Sequence, residues 1–336
     1  MTASAGRAAT AAEVAAALLE PDARPVIAAH HNPDGDAIGS MLGLARALAA
    51  AGQDVTLAHP DVPAVPVDLE FLLAPGEEIL PAVPGDLSER TFVTVDCASE
   101  QRLWHDPVHE RAGRVVNIDH HQDNTRFGDL NLIVPHASST AEVLMAVIEA
   151  AGVPLTAEIA VPLYAGMVTD TGRFSYGNTS AATHRAAAAL LEAGVDPAEM
   201  TRLLYEDQPR DRLMLLGAAL GRARTLADGR MMASVLTRDD FVAAGGDDSE
   251  GIVEVMRSGH GVEVAALVRE SGPEGSYRVS LRSVDPEVDM SAIARQEGGG
   301  GHRAAAGFST TRPPDDLIAW LERCVLERLG AATVRE

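Results

Sequence analysis

Three apolar runs end in side chains able to hold a divalent cation. Val26–Ala29 leads into His30-His31-Asn32-Pro33-Asp34-Gly35-Asp36, Thr91–Val95 into Asp96, and Arg114–Ile118 into Asp119-His120-His121. A further acid, Asp170, follows the helical pattern ending Met167-Val168-Thr169 and opens Thr171-Gly172-Arg173-Phe174-Ser175-Tyr176. One buried carboxylate is commonly a cap, but four facing one another in a cleft cannot stay ionised unless cations neutralise them. Oxygen and imidazole donors without a thiolate point to manganese first, then magnesium, cobalt or zinc.

These residues meet only if their elements bring them to one place. The β-type runs Val26–Ala29, Asp54–Ala58, Thr91–Val95 and Arg114–Ile118 alternate with helical patterns such as Ile38–Ala51, where Met41, Leu42, Ala45 and Leu48 recur at helical spacing. Strand, helix, strand in succession predicts a parallel sheet. The carboxyl ends of parallel strands share one edge, which is where open α/β sheets keep their ligands. Pro60–Pro84, rich in Pro and Gly, reads as a loop with short elements, and Ala/Leu helices are expected at Ser139–Ala151, Ala157–Val168 and Thr183–Ala193. The pattern changes between Gly194 and Pro209, after which strands at Arg230–Leu236, Glu263–Arg269 and Tyr277–Arg282 predict a smaller α/β domain.

Composition limits what this chain can do. At 336 residues it has room for two domains of ordinary size. With 46% apolar but only 4% aromatic residues, its core is built from Ala, Val, Leu and Ile, which suits parallel sheets flanked by helices. All 27 basic residues are arginine, so lysine catalysis is excluded. A net charge of −22 repels long nucleic acid, so any phosphate substrate is expected to be small and gripped locally. Two cysteines, Cys97 and Cys324, are too few for a disulfide framework or a sulfur-ligated zinc and fit a reducing compartment. Met1–Pro25 lacks the basic start and long apolar run of a secretion signal, and no segment is apolar enough to span a bilayer. A cytoplasmic protein without a membrane partner is expected.

In order and spacing these residues resemble the DHH phosphoesterases that carry a C-terminal DHHA1 domain. His30-x-Asn32-Pro33-Asp34-x-Asp36-Ala37-Ile38-Gly39-Ser40 is similar to the family's first motif, Val95-Asp96 to its second, Asp119-His120-His121 to its third and Asp170 to its fourth. Ser280-Leu281-Arg282-Ser283 and Gly298–Gly307 are similar to the DHHA1 signatures, so the likeness runs from Val26 to Phe308. It implies a parallel-sheet DHH domain over 1–195 with helices on both faces, a linker over 196–215, and a smaller α/β DHHA1 domain over 216–336, with the active site in the interdomain cleft.

The resemblance further implies that His30, Asp34 and Asp96 bind one ion while Asp36, Asp96, His120 and Asp170 bind a second. Asp96 then bridges them, and the pair can activate a water for in-line attack on phosphorus. His121 is the candidate for steadying the phosphate or protonating the leaving oxygen. Asp119 is expected behind the ligands, accepting an imidazole N–H. In the second domain, Gly299, Gly300 and Gly301 before His302 let backbone N–H groups approach a phosphate, with the positive end of a nearby helix start. Arg282, beside Ser283, supplies a guanidinium fork for a terminal phosphate.

Several residues also have plainer readings. His31 is a spectator of the first motif, and Cys97 a small buried apolar residue. His59, His105, His109, His136, His184 and His260 show no metal-like spacing, so core or surface roles are their default. Ser138-Ser139-Thr140 with Glu142 reads as a helix start. Arg173, Phe174 and Tyr176 fit packing as well as contact with a base or ribose.

The two-domain length without appended modules resembles the branch of the family that degrades very short RNA and dinucleotides to mononucleotides and dephosphorylates 3′-phosphoadenosine 5′-phosphate (pAp), with cyclic di-AMP as a variant substrate. Two manganese ions and a homodimer are implied with it. The alternatives are a family II-like inorganic pyrophosphatase, whose second domain relies on a lysine-bearing motif this chain lacks, and a non-catalytic nucleotide-binding regulator, against which the intact ligands speak.

Overall fold

The computed structural model describes residues 6–61, 63–103, 107–206, 208–272, 275–285, 288–301 and 303–333. His105 and His302 lie outside them. The chain divides into two compact units, Met1–Asp207 and Gln208–Glu336.

The first unit is a seven-stranded parallel sheet. In chain order its elements are β1 (Arg7–Ala8), α1 (Ala11–Leu18), β2 (Val26–Ala28), α2 (Gly35–Ala50), β3 (Thr56–Ala58), β4 (Ile79–Leu80), β5 (Thr91–Val95), β6 (Arg114–Asp119), β7 (Leu130–Ile133), α3 (Thr140–Ala150), α4 (Ala157–Asp170), α5 (Ala181–Glu192) and α6 (Pro197–Thr201). The strands lie in the order β1-β7-β6-β5-β2-β3-β4. From β2 the chain winds outward through β3 and β4, then returns to β5 and winds the other way. The order therefore reverses between β2 and β5, and at such a switch point the loops diverge and leave a crevice at the carboxyl ends.

The two sheet faces are closed differently. Ile27, Val93, Val95, Val116 and Ile118 form one core with buried residues of α1 to α5. Val26, Ala28, Phe92 and Val115 face the other way and are covered by Leu87 and Leu103, from loops and one-turn helices shorter than the helices expected there. Burial on both faces leaves β5 with no buried-exposed alternation: all five residues are buried, Thr91 and Thr94 included. β7 escapes the sequence pattern because Asn131 interrupts its apolar run. That side chain is buried and bonds the Gly128 carbonyl at 2.6 Å.

α2 and α4 approach unusually closely, and this contact sets the site. Gly35, Gly39 and Gly43 form a row on α2, where added Cβ atoms would meet Thr169, the Pro162 carbonyl oxygen at 2.2 Å, and Leu163. Pro162, inside α4, has no N–H to bond the carbonyl of Glu158 one turn earlier. Arg46 of α2 replaces it, its Nη1 donating to Glu158 O at 2.8 Å. Gly39→Ala is therefore expected to lower stability by about 1–3 kcal/mol, although glycine to alanine in an exposed helix stabilises by up to ~1 kcal/mol. A urea midpoint unchanged or raised in the variant would show that the helices can part without cost.

The second unit carries a mixed six-stranded sheet. Its elements are α7 (Arg210–Gly221), β8 (Arg224–Leu226), β9 (Met231–Leu236), α8 (Arg238–Ala244), α9 (Ile252–Arg257), β10 (Val264–Glu270), β11 (Tyr277–Ser283), α10 (Met290–Ala294), β12 (Gly300–Gly301), β13 (Ala305–Thr310) and α11 (Pro314–Thr333), with strand order β12-β13-β11-β10-β9-β8. Only β9 and β10 pair in parallel, joined through α8 and α9. α10 and α11 cover one face around Val279, Leu281 and Phe308, while α7 and α9 cover Ala265 and Leu267 on the other. The stretch 196–215, expected as a linker, is largely helical: Asp196 caps α6, a π-helical turn runs over Arg202–Glu206, and α7 begins at Arg210.

Candidate metal centre

Both strands at the switch point deliver a site residue. β2 ends at Ala28, and His30 follows with its Nδ1 2.8 Å from the His31 carbonyl. A carbonyl only accepts, so Nδ1 carries a proton and Nε2 is the nitrogen that faces the carboxylates. That Nε2 lies 3.4 Å from Asp96 Oδ2 and 3.9 Å from Asp34 Oδ2. Asp34 divides its oxygens between two tasks: Oδ1 caps α2 by accepting from the Asp36 and Ala37 amides, leaving Oδ2 toward His30.

Asp96 directly follows β5 and sits at φ +52°, a left-handed conformation that costs most residues about 1 kcal/mol or more. Its amide still donates to the Ile118 carbonyl at 3.1 Å, holding the loop against β6. The carboxylate is buried, with Oδ1 accepting the Thr140 hydroxyl at 3.1 Å and lying 3.6 Å from Nε2 of His120. His120, just past β6, has Nδ1 3.3 Å from the Ala137 carbonyl, and its Nε2 lies 3.4 Å from Asp170 Oδ2.

Asp36 is fully buried, and the opening of α3 holds it. Its oxygens accept the amides of Thr140 (2.6 Å) and Ala141 (3.0 Å) and the Ser40 hydroxyl (3.2 Å). The positive end of the helix thus faces a negative group. Even so, burial and then the charges of Asp96 and Asp170 push the Asp36 carboxyl well above the usual carboxylate range. Burial, with Asp96 and Asp34 adding to it against His120, pushes Asp170 up to about 6. Burial also raises Asp96, but the His30 hydrogen bond and the neighbouring imidazoles outweigh it and hold that group low.

Asp119 lies behind these groups, fully buried. Its Oδ1 accepts from the His120 amide and from His121 Nδ1, each at 2.8 Å, and its Oδ2 from Asn124 Nδ2 at 2.6 Å. The Asp119 hydrogen bond carries the His121 imidazole up to about 9 despite burial. Burial pushes the Cys97 thiol up to about 12, the behaviour of an inert thiol.

Three overlapping groups have ligand atoms close enough to share an ion: His30, Asp34 and Asp96; Asp36, His120 and Asp170; and Asp96 with Asp119, His120 and His121. All donors are carboxylate oxygens and imidazole nitrogens, and the burial and mutual repulsion that raise Asp36 and Asp170 are what cations offset. The set therefore fits hard or borderline divalent ions.

Sequence reasoning passed over several residues that position these groups. His59, given only a default core or surface role, is buried with Nε2 2.9 Å from the His30 carbonyl, and its Nδ1 accepts the Asp61 amide at 3.2 Å. Asp61 in turn binds His31 Nδ1 at 2.8 Å and the Asn32 amide at 2.6 Å, so His31 fastens the loop. Thr140 was visible only as part of a helix start.

In the second unit, Arg282 and Gly298–Gly301 line one pocket of about 610 Å³ together with Arg278 and Ser280. Two expectations fail there. The glycine run opens no helix: it follows α10 and continues as β12, and a Cβ on Gly299, just before that strand, would lie 2.3 Å from Gly307 O of β13. Ser283 alternates to the opposite face from Arg282 and is fully buried, away from the pocket.

Fold and donor set together define a protein with a divalent-cation centre at the carboxyl edge of a parallel sheet, in a chain that carries a second α/β unit. Residues 24–167 match the DHH family, N-terminal domain, and residues 235–325 the DHHA1 domain. The chain is 39% identical over 287 residues to the bifunctional oligoribonuclease and PAP phosphatase NrnA of Thermus thermophilus, covering 84% of this chain and 82% of that one. It is 28% identical to the Bacillus subtilis protein of the same name, over 87% of this chain and 92% of that one. The crystal structure of an exopolyphosphatase-related protein from Bacteroides fragilis superposes with a TM-score of 0.82 at 26% identity, covering 94% of this chain and 96% of that one. The chain belongs to the DHH family of phosphoesterases.

Proposed function

We propose that this protein is a two-cation phosphoesterase that cuts dinucleotides and very short RNA to mononucleotides and converts pAp to AMP, with cyclic di-AMP as a further substrate. The observation that carries this reading is the gathering of His30, Asp34, Asp36, Asp96, His120 and Asp170 at one sheet edge, with Asp96 common to two groups of donors. Its similarity to an oligoribonuclease and PAP phosphatase along most of both chains supports the substrate class.

Manganese is the proposed metal, with magnesium or cobalt as substitutes. When bound, a pair of such ions acidifies a water toward neutral pH and offsets charge on the phosphoryl oxygens. The chain's own residues do the rest. Thr140 and the α3 amides fix the orientation of Asp96 and Asp36, and backbone carbonyls fix the tautomers of His30 and His120. Asp119 holds His121 through Nδ1, leaving Nε2 to donate to the leaving oxygen. Arg282 and the glycine amides grip a terminal phosphate. A homodimer in the cytoplasm completes the reading; among the described residues no helix is long and apolar enough to cross a membrane.

Purified protein with Mn²⁺ is expected to release AMP from pApA and from pAp, and EDTA to stop both. Failure on both substrates, with orthophosphate released from pyrophosphate instead, overturns the proposal in favour of a pyrophosphatase.

A further inference from the structure

Of the three large side chains in the segment after Asp170, two pack on other rings and the third stands mostly in water. The Arg173 guanidinium lies 4.7 Å over the Tyr205 ring, and Phe174 packs against Tyr164 and His184 with ring centroids 6.2 and 5.3 Å apart. Tyr176, by contrast, is 60% exposed and is the one aromatic among the exposed large apolar side chains of the described residues. The chain has only four tyrosines, six phenylalanines and two tryptophans, so an aromatic left in water is unusual for it.

The backbone goes to some lengths to place that ring. Gly172, Arg173 and Phe174 take φ values of +53°, +62° and +61°, and left-handed residues in succession occur where surrounding bonds enforce them. Here the Arg173 amide donates to Val168 O (2.8 Å), the Phe174 amide to Thr171 Oγ1 (3.0 Å) and the Tyr176 amide to Thr171 O (2.9 Å), while Ser175 Oγ bonds the Gly172 carbonyl. Asn178 ties the segment back to the Asp170 carbonyl at 3.1 Å and to Ser138 O at 2.9 Å. The ring itself lies on Gly172: a Cβ there would come within 2.3 Å of Tyr176 Cζ, so only glycine admits it. Tyr176 is thus an exposed, braced aromatic surface within a few residues of Asp170.

We propose that Tyr176 is a specificity residue of the phosphoesterase site, on which a nucleobase of the substrate stacks. Every base offers a π-face, and stacking on an aromatic side chain discriminates little among bases. The platform therefore selects for a nucleoside attached to the phosphate and tolerates any base, which suits an enzyme clearing short RNA of mixed sequence. This inference rests on the nucleotide reading of the site given above.

The test compares wild type, Tyr176→Ala and Tyr176→Phe on pApA and on a dinucleotide analogue with both bases replaced by hydrogen, with bound Mn²⁺ measured for each protein. Tyr176→Ala is expected to lose about tenfold or more in kcat/KM on pApA, mainly through KM. On the abasic analogue it should equal wild type, and Tyr176→Phe should behave as wild type on both. No loss on pApA, or the same loss on both substrates, overturns the inference while leaving the nucleotide reading intact. A wild type that turns over no dinucleotide overturns that reading and the inference with it.

Discussion

Asp96→Asn is expected to lower kcat for pApA and pAp by at least about 10³-fold, and His120→Ala to abolish turnover as well. Asp96 is the shared member of the site: one oxygen faces His30 at 3.4 Å and the other faces His120 and His121, each at 3.6 Å. Removing its charge weakens the hold on both proposed ions at once. A loss of that size corresponds to about 4 kcal/mol of transition-state stabilisation, in the range that bound cations supply. Asparagine is the informative replacement because Asp96 stands at φ +52°, which Asn tolerates far better than Ala. It also matches the carboxylate in size and can still accept the Thr140 hydroxyl bond. The variant should keep its fold by circular dichroism while binding less than the wild-type complement of Mn²⁺. Retention of more than about a tenth of wild-type kcat would remove Asp96 from the centre of the mechanism.

The site was legible where one residue serves both local structure and chemistry. Asp34 sits where a helix cap belongs, one strand-end loop after β2, Asp96 follows an apolar strand and Asp119-His120 closes another, so strand reading alone predicts their convergence. Their partners were not legible because each depends on a relation between distant segments. Nothing in the spacing of His59 ties it to His30; the pairing of β2 with β3 does, by bringing its ring under the His30 carbonyl. Thr140 looks like any helix start, and its tie to Asp36 and Asp96 follows from where α3 returns across the sheet. The α2–α4 contact left a visible trace in Gly35, Gly39 and Gly43, but a glycine row does not name its partner. In the second unit the glycine run is ambiguous for the same reason. Glycines that admit a close phosphate also admit a close strand, and β13 crowds Gly299 and Gly301.

Arg282 decides whether the second unit takes part in substrate capture. Its Nε donates to Glu254 at 2.6 Å and its Nη1 to the Leu281 carbonyl at 3.0 Å, so the guanidinium is braced at the wall of the glycine-lined pocket. A fork already fixed loses little freedom on meeting a phosphate, which favours Arg over the flexible, pointlike Lys. Arg282→Ala is expected to raise KM for pAp about 10- to 100-fold, the equivalent of one lost charge-assisted hydrogen bond or pair of them, while bound Mn²⁺ stays at the wild-type level. Arg282→Lys should recover only part of the loss, because it restores charge without the fork. Glu254→Gln gives the opposing control: it keeps the brace as a neutral hydrogen bond and removes the competing carboxylate, so KM should hold or fall. If Arg282→Ala leaves KM unchanged, the pocket does not hold the substrate's phosphate. If it lowers kcat and metal content together, Arg282 acts on the fold of the enzyme rather than on its substrate.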